Sequence, residues 1–107
     1  MRAWAVVEGA NGPTTAAADA MLADRGVVVV PDILANAGGV VVIYFEWVQN
    51  WQRESWTLSQ VRARLADQMA RAFNEVWECH EAGRLTLRQA AFDLAVGRVA
   101  EAARWRL

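Results

Sequence analysis

The chain has 107 residues, 55% of them hydrophobic, and carries eleven arginines and no lysine against twelve acids, for a net charge of −1. That length supplies at most one domain with one core, and the near-balanced charge offers no electrostatic basis for a nucleic-acid or anionic-membrane partner. Its single cysteine, Cys79, excludes an internal disulfide framework, and it has neither a signal-peptide pattern nor a run of about 18 apolar residues, so a reducing, cytoplasmic setting is expected.

In chain order, Ala5-Val6-Val7 reads as a short strand running into the turn Glu8 to Thr15, which offers the amide side chain of Asn11. Pro13 and Thr14-Thr15 make a helix start, Ala17, Ala18, Met21 and Leu22 share one face, and Gly26 is the stop. Val27 to Val30 fits a strand covered on both faces, as in a parallel α/β sheet, and ligands of such sheets bind just beyond the carboxyl ends of the strands. Asn36, Gly38 and Gly39 follow at that place. Residues 1–39 therefore form one β-α-β unit with parallel strands, right-handed as such crossovers are, and its two turns open on the same edge.

Residues 40–107 form the helical part. Val40 to Phe45 favour a strand by propensity, and periodicity does not separate a buried strand from a buried helix; Glu46, Gln49, Asn50 and Gln52 extend the segment past ordinary strand length. Thr57-Leu58-Ser59-Gln60 has the form of a capping box, with Val61, Leu65, Met69, Ala72, Phe73 and Val76 following at helical spacing up to a stop at Gly83. Asp67 with Arg71, and Arg71 with Glu75, are spaced for pairs on the wet face. Thr86-Leu87-Arg88-Gln89 repeats the box, and Leu87, Ala90, Ala91, Leu94 and Ala95 make the last apolar stripe.

Three segments carry a family resemblance: Val7-Glu8-Gly9-Ala10-Asn11-Gly12-Pro13-Thr14-Thr15, Val30-Pro31-Asp32-Ile33-Leu34-Ala35-Asn36-Ala37-Gly38-Gly39-Val40 and Tyr44-Phe45-Glu46-Trp47-Val48-Gln49-Asn50. In this order and spacing the chain resembles the C-terminal part of the glutamate dehydrogenases, within the wider group of glutamate, leucine, phenylalanine and valine dehydrogenases. The third segment favours the glutamate branch. The resemblance extends over nearly the whole chain, while family members are several times longer. It implies an α/β fold that is the C-terminal half of a Rossmann-like dinucleotide-binding domain, one β-α-β unit followed by three helices. The first of these would be long, largely buried and begin near Gly38.

The site residues follow from the resemblance, each beside a plainer account. On spacing alone, turn chemistry explains Asn11 and Asn36 better than a ligand does, because asparagine tolerates left-handed backbone and caps helices. The resemblance implies instead that Asn11 approaches the cofactor ribose and Asn36 the nicotinamide end, with Gly9 and Ala10 also at the cofactor. Gly38 and Gly39 suit a tight turn, and equally a close backbone approach to the nicotinamide at a helix N-terminus. Val40 and Ile43 would face the substrate. Ile43 departs from the glutamate branch, which typically has there a serine that hydrogen-bonds the substrate's side-chain carboxylate. Glu8 reads as a strand-end carboxylate without a catalytic role.

No Gly-x-Gly-x-x-Gly fingerprint is present, and the residues choosing NAD or NADP belong with it. The lysine and aspartate that the resembled family uses in catalysis have no counterpart either, so no catalytic residue is assigned. Cys79-His80 is rejected as a metal or nucleophile site for want of partners, adjacent helical residues pointing in different directions. Trp47 and Trp56 match family positions; Trp4, Trp77 and Trp105 have no evident role. The expected function is that of a C-terminal segment of an NAD(P)-dependent amino-acid dehydrogenase, converting an L-amino acid, glutamate foremost, to the 2-oxo acid and ammonia. The isolated chain would be inactive and would not bind NAD or NADP appreciably, its partner being the missing N-terminal part or a full-length paralogue within an oligomer. A non-catalytic assembly module and a degenerate remnant are the alternatives.

Overall fold

The computed structural model describes residues 2–106. Two three-residue strands, β1 (Ala5–Val7) and β2 (Val28–Val30), pair in parallel with Ala5, Val6 and Val7 opposite Val28, Val29 and Val30. Helix α1 (Ala16–Asp24) crosses between them, capped by the Thr15 hydroxyl, which accepts the Ala18 N–H at 3.2 Å. Beyond its end Gly26 takes the left-handed backbone, φ 67°, that lets the chain turn into β2. Val27 belongs to this turn rather than to the strand, its N–H bonding to the Leu22 carbonyl.

After β2 the chain forms a single helical turn, α2 (Asp32–Ala35), and then α3 (Gly38–Gln52), α4 (Leu58–Gly83) and α5 (Leu87–Arg104). The turn α2 lies where an irregular segment was expected; four residues carry no period to reveal them. Both capping boxes are formed, Thr57 with Gln60 and Thr86 with Gln89. Arg53 and Arg84 end α3 and α4 in left-handed backbone.

Segment 40–52 is helical despite its β-branched run. One face explains why: Phe45 is buried, its ring 5.6 Å from that of Trp56, while Gly38 faces Leu65 and Met69 of α4. Packing on one side outweighs a propensity worth only fractions of a kcal/mol per residue. The expectation of a largely buried α3 is corrected. Val40, Ile43, Tyr44, Trp47 and Trp51 lie exposed along the other face, with Tyr44 stacked on Trp47 and Trp47 on Trp51. Among the described residues, this helix is covered mainly by α4 and by Trp56 just before it.

The core lies where β2, α2, α4 and α5 meet: Leu34, Val76, Leu87, Ala90 and Ala91, with Val28, Val30, Phe73 and Trp77 against it. Ala90 is fully buried, and a small side chain there lets α5 approach closely. Trp77, unexplained from sequence, stacks on Phe73 and borders this core. In α1 the inward residues are Ala18 and Leu22, while Ala17 and Met21 turn outward, so the predicted four-residue face is only half used. The Asp67–Arg71 pair forms, but Glu75 pairs with Arg98 of α5 instead of Arg71.

Contiguous exposed aromatic and aliphatic groups promote association. The chain by itself should therefore sediment as concentration-dependent oligomers and bind a hydrophobic dye strongly. A sharp monomer with little dye binding would contradict this.

Candidate functional site

The two strands end side by side and deliver two turns to one edge. Glu8, the first residue past β1, is only 2% exposed, and its N–H continues the ladder to the Val30 carbonyl. Glu8 Oε2 accepts the Asp32 N–H at 2.9 Å. Asp32 in turn accepts the Gly12 N–H on Oδ2 and the Ile33 N–H on Oδ1, each at 2.7 Å. Gly12 has φ 58°, a conformation glycine takes without strain, and this carries the turn around Asn11.

Asn36 caps the end of α2, and its carboxamide crosses to the other turn, donating to the Gly9 carbonyl at 3.2 Å and to Asn11 Oδ1 at 2.6 Å. Neither asparagine takes the left-handed backbone that turn chemistry allows; Asn36 ends α2 through its backbone N–H, and the two side chains are joined across the strand ends. Among the described residues, Asn11 Nδ2 and Asn36 Oδ1 keep no protein partner, leaving donors and an acceptor side by side.

The remaining sequence candidates lie around this pair. Gly9 and Gly39 border open space, where an added Cβ would meet no atom within 4 Å, whereas Gly38 is turned toward α4. Ala10 is exposed in the first turn. The start of α3 has no side-chain cap, because Ala37 precedes it, so its first amides are available to a ligand. Val40 and Ile43 are 71% and 65% exposed and one helical turn apart, on the same face.

Sequence reasoning missed the cation beneath this edge. Arg88, from the first turn of α5, grips Glu8 with Nη2 at 2.6 Å and Nη1 at 3.1 Å, and Asp19 of α1 with Nε at 2.9 Å. The Arg88 guanidinium, foremost, holds the Glu8 carboxyl at about 2, well below its usual 4.5; burial opposes the shift, and the Thr14 hydroxyl and the Asp32 N–H add to it. Glu8 and then Asp19 in turn raise Arg88 above its usual range. Cys79 and His80 play no part: the thiol lies 4.0 Å from Asp93 Oδ2, and the imidazole Nδ1 meets the Leu85 carbonyl at the end of α4.

The family model for Glutamate/Leucine/Phenylalanine/Valine dehydrogenase matches residues 1–106. The chain belongs to this family. It is 56% identical over 106 residues to a glutamate dehydrogenase of Thermotoga maritima, covering 99% of this chain and 26% of that protein. It is 54% identical over 97 residues to the NAD-specific glutamate dehydrogenase A of Halobacterium salinarum, covering 91% of this chain and 22% of that one. The hetero-hexameric glutamate dehydrogenase of Thermus thermophilus, solved in a Leu-bound form, superposes with a TM-score of 0.95 at 40% identity over all of this chain and 26% of its own. The chain thus spans about a quarter of these relatives' length, and its α/β fold is that of the C-terminal part of the family's enzymes.

Because the Glu8 carboxyl is depressed in the fold, its contribution is complete above pH 4.5 and is lost as pH falls through about 2. The thermal midpoint should drop across that window, and Glu8→Gln should lower the midpoint at pH 6 while flattening the drop. Equal pH slopes in the two proteins would contradict this.

Proposed function

We propose that this chain is the nicotinamide-side segment of an NAD-dependent glutamate dehydrogenase. The observation that carries the proposal is the joined pair Asn11–Asn36 at the two strand ends, in a chain whose relatives include NAD-specific glutamate dehydrogenases. The residues suit that half of the cofactor. Asn11 Nδ2 is free to donate to a ribose hydroxyl, Asn36 Oδ1 is free to accept from a carboxamide, and Gly9 and Gly39 leave room for a ring or sugar to approach the backbone. The uncapped amides of α3 favour a partial negative charge nearby.

When bound, NAD supplies the hydride acceptor for oxidation of the amino acid's α-carbon. The chain's own share is positional: the asparagines orient the cofactor, and the exposed turn carrying Val40 and Ile43 presents an apolar wall to the substrate. The phosphate cradle and the groups that move the proton come from the rest of the enzyme, whether in one polypeptide or in a paralogue docked against this one. The bare aromatic face of α3 supports that union, since it asks for a partner that this chain does not contain.

The purified chain should show no glutamate-dependent NAD reduction. A chimera in which it replaces the matching quarter of the Thermotoga maritima enzyme should show it. Turnover by the chain alone, free of host dehydrogenase, or a folded but inactive chimera would contradict the proposal. Within the active chimera, Ile43→Ser should raise the glutamate specificity constant relative to an aliphatic amino acid by about tenfold or more, because a hydrogen bond to a charged group contributes roughly 1.5 to 3 kcal/mol. An unchanged ratio would show that position 43 does not read the side-chain carboxylate.

A further inference from the structure

We propose that Arg88 of α5 is the positioning residue of the cofactor-facing edge, fixing through Glu8 and Asp32 the two turns that carry Asn11 and Asn36. The inference rests on the reading of that edge given above.

The links form an unbroken chain of hydrogen bonds. One edge of the guanidinium is held by Asp19 on α1, through Nε at 2.9 Å and Nη2 at 3.2 Å, and the other clamps both oxygens of Glu8. Glu8 Oε2 then fixes the Asp32 backbone, and the Asp32 side chain fixes Gly12, the neighbour of Asn11. Asp32 also lies 3.7 Å from Nη1, so Glu8, Asp19 and Asp32 all face this one cation, with the Thr14 hydroxyl completing the cluster. Two carboxylates on different sides of a planar fork require arginine; a lysine presents a point charge and satisfies one of them well. Without the cation a carboxylate as buried as Glu8 must take a proton or swing toward water. Swinging away removes the acceptor for the Asp32 N–H, and protonation replaces a charge-assisted bond with a weaker neutral one; either loosens the turn above it. Arg88 touches neither asparagine, so its effect is exerted entirely through these intermediates.

The test uses the full chain, labelled with 15N at glycine and asparagine, so that Gly12 and the Asn11 and Asn36 carboxamides report on the edge while Gly83, Asn50 and Asn74 serve as controls. At pH 6, hydrogen exchange at Gly12 and the Asn36 carboxamide should be at least about tenfold faster in Arg88→Gln than in wild type, with the controls unmoved, and Arg88→Lys should restore part of the loss. Unchanged Gly12 and Asn36 signals in Arg88→Gln would overturn the proposal. Should that variant fail to fold, Arg88→Lys carries the test: faster exchange at Gly12 and Asn36 together upholds the proposal, and wild-type exchange at both overturns it. In the chimera with the Thermotoga maritima enzyme, Asn11→Ala and Asn36→Ala test the underlying reading separately: if they leave the KM for NAD unchanged while Arg88→Gln moves the Gly12 and Asn36 signals of the chain, the ligand assignment fails and the positioning role stands.

Discussion

A carboxylate almost without access to water must be matched by a cation or give up its charge, and Glu8 is placed under that constraint at the end of β1. The match comes from Arg88, eighty residues further along, which brings the start of α5 under the sheet edge. Asp19 completes the pairing from α1, so one guanidinium ties together the crossover helix, the first strand and the last helix. Around this point the apolar core is small, with Ala90 and Ala91 of α5 meeting Leu34 and Val76. The ion cluster supplies direction to packing that would otherwise be largely non-directional.

The opposite end of the chain is organised by a different imbalance. Helix α3 is held by one face only, through Phe45, Trp56 and the Gly38 contact with α4, and it shows Tyr44, Trp47 and Trp51 to water. An apolar helix face of this kind is normal inside a larger protein and costly outside one. It accords with a chain that covers 26% of a Thermotoga maritima relative. The proposed cofactor edge and the bare face of α3 fit one reading: a site whose turns are set by this chain and whose remaining walls would come from the parts of the family's enzymes that it does not match.

How much of this was legible in the sequence depended on the range of each interaction. The capping boxes at Thr57 and Thr86 are local signals, and the helices begin where they indicate. The β-α-β unit was legible because a valine run, a helix start and two Gly/Asn turns agree. Val40 to Phe45 misled by propensity, and length together with the family resemblance corrected the reading to helix; its exposure was not foreseen, since the family context implied covering that this chain does not contain. Glu75 satisfied the spacing rule with Arg71 yet bonds across to Arg98, because a neighbouring helix competes for the same carboxylate. Arg88 was hidden altogether. Among eleven arginines nothing local marks the one that meets a buried acid, and Glu8 itself looked like an ordinary strand end.

If Asn11 and Asn36 face the nicotinamide half of a dinucleotide as a joined pair, a crystal structure of this chain united with the remainder of a family enzyme, with NAD bound, will show it. The nicotinamide ribose is then expected within hydrogen-bonding distance of the Asn11 carboxamide, with the nicotinamide beside Asn36 and Gly39. A well-ordered cofactor whose nicotinamide half lies away from both asparagines would contradict it.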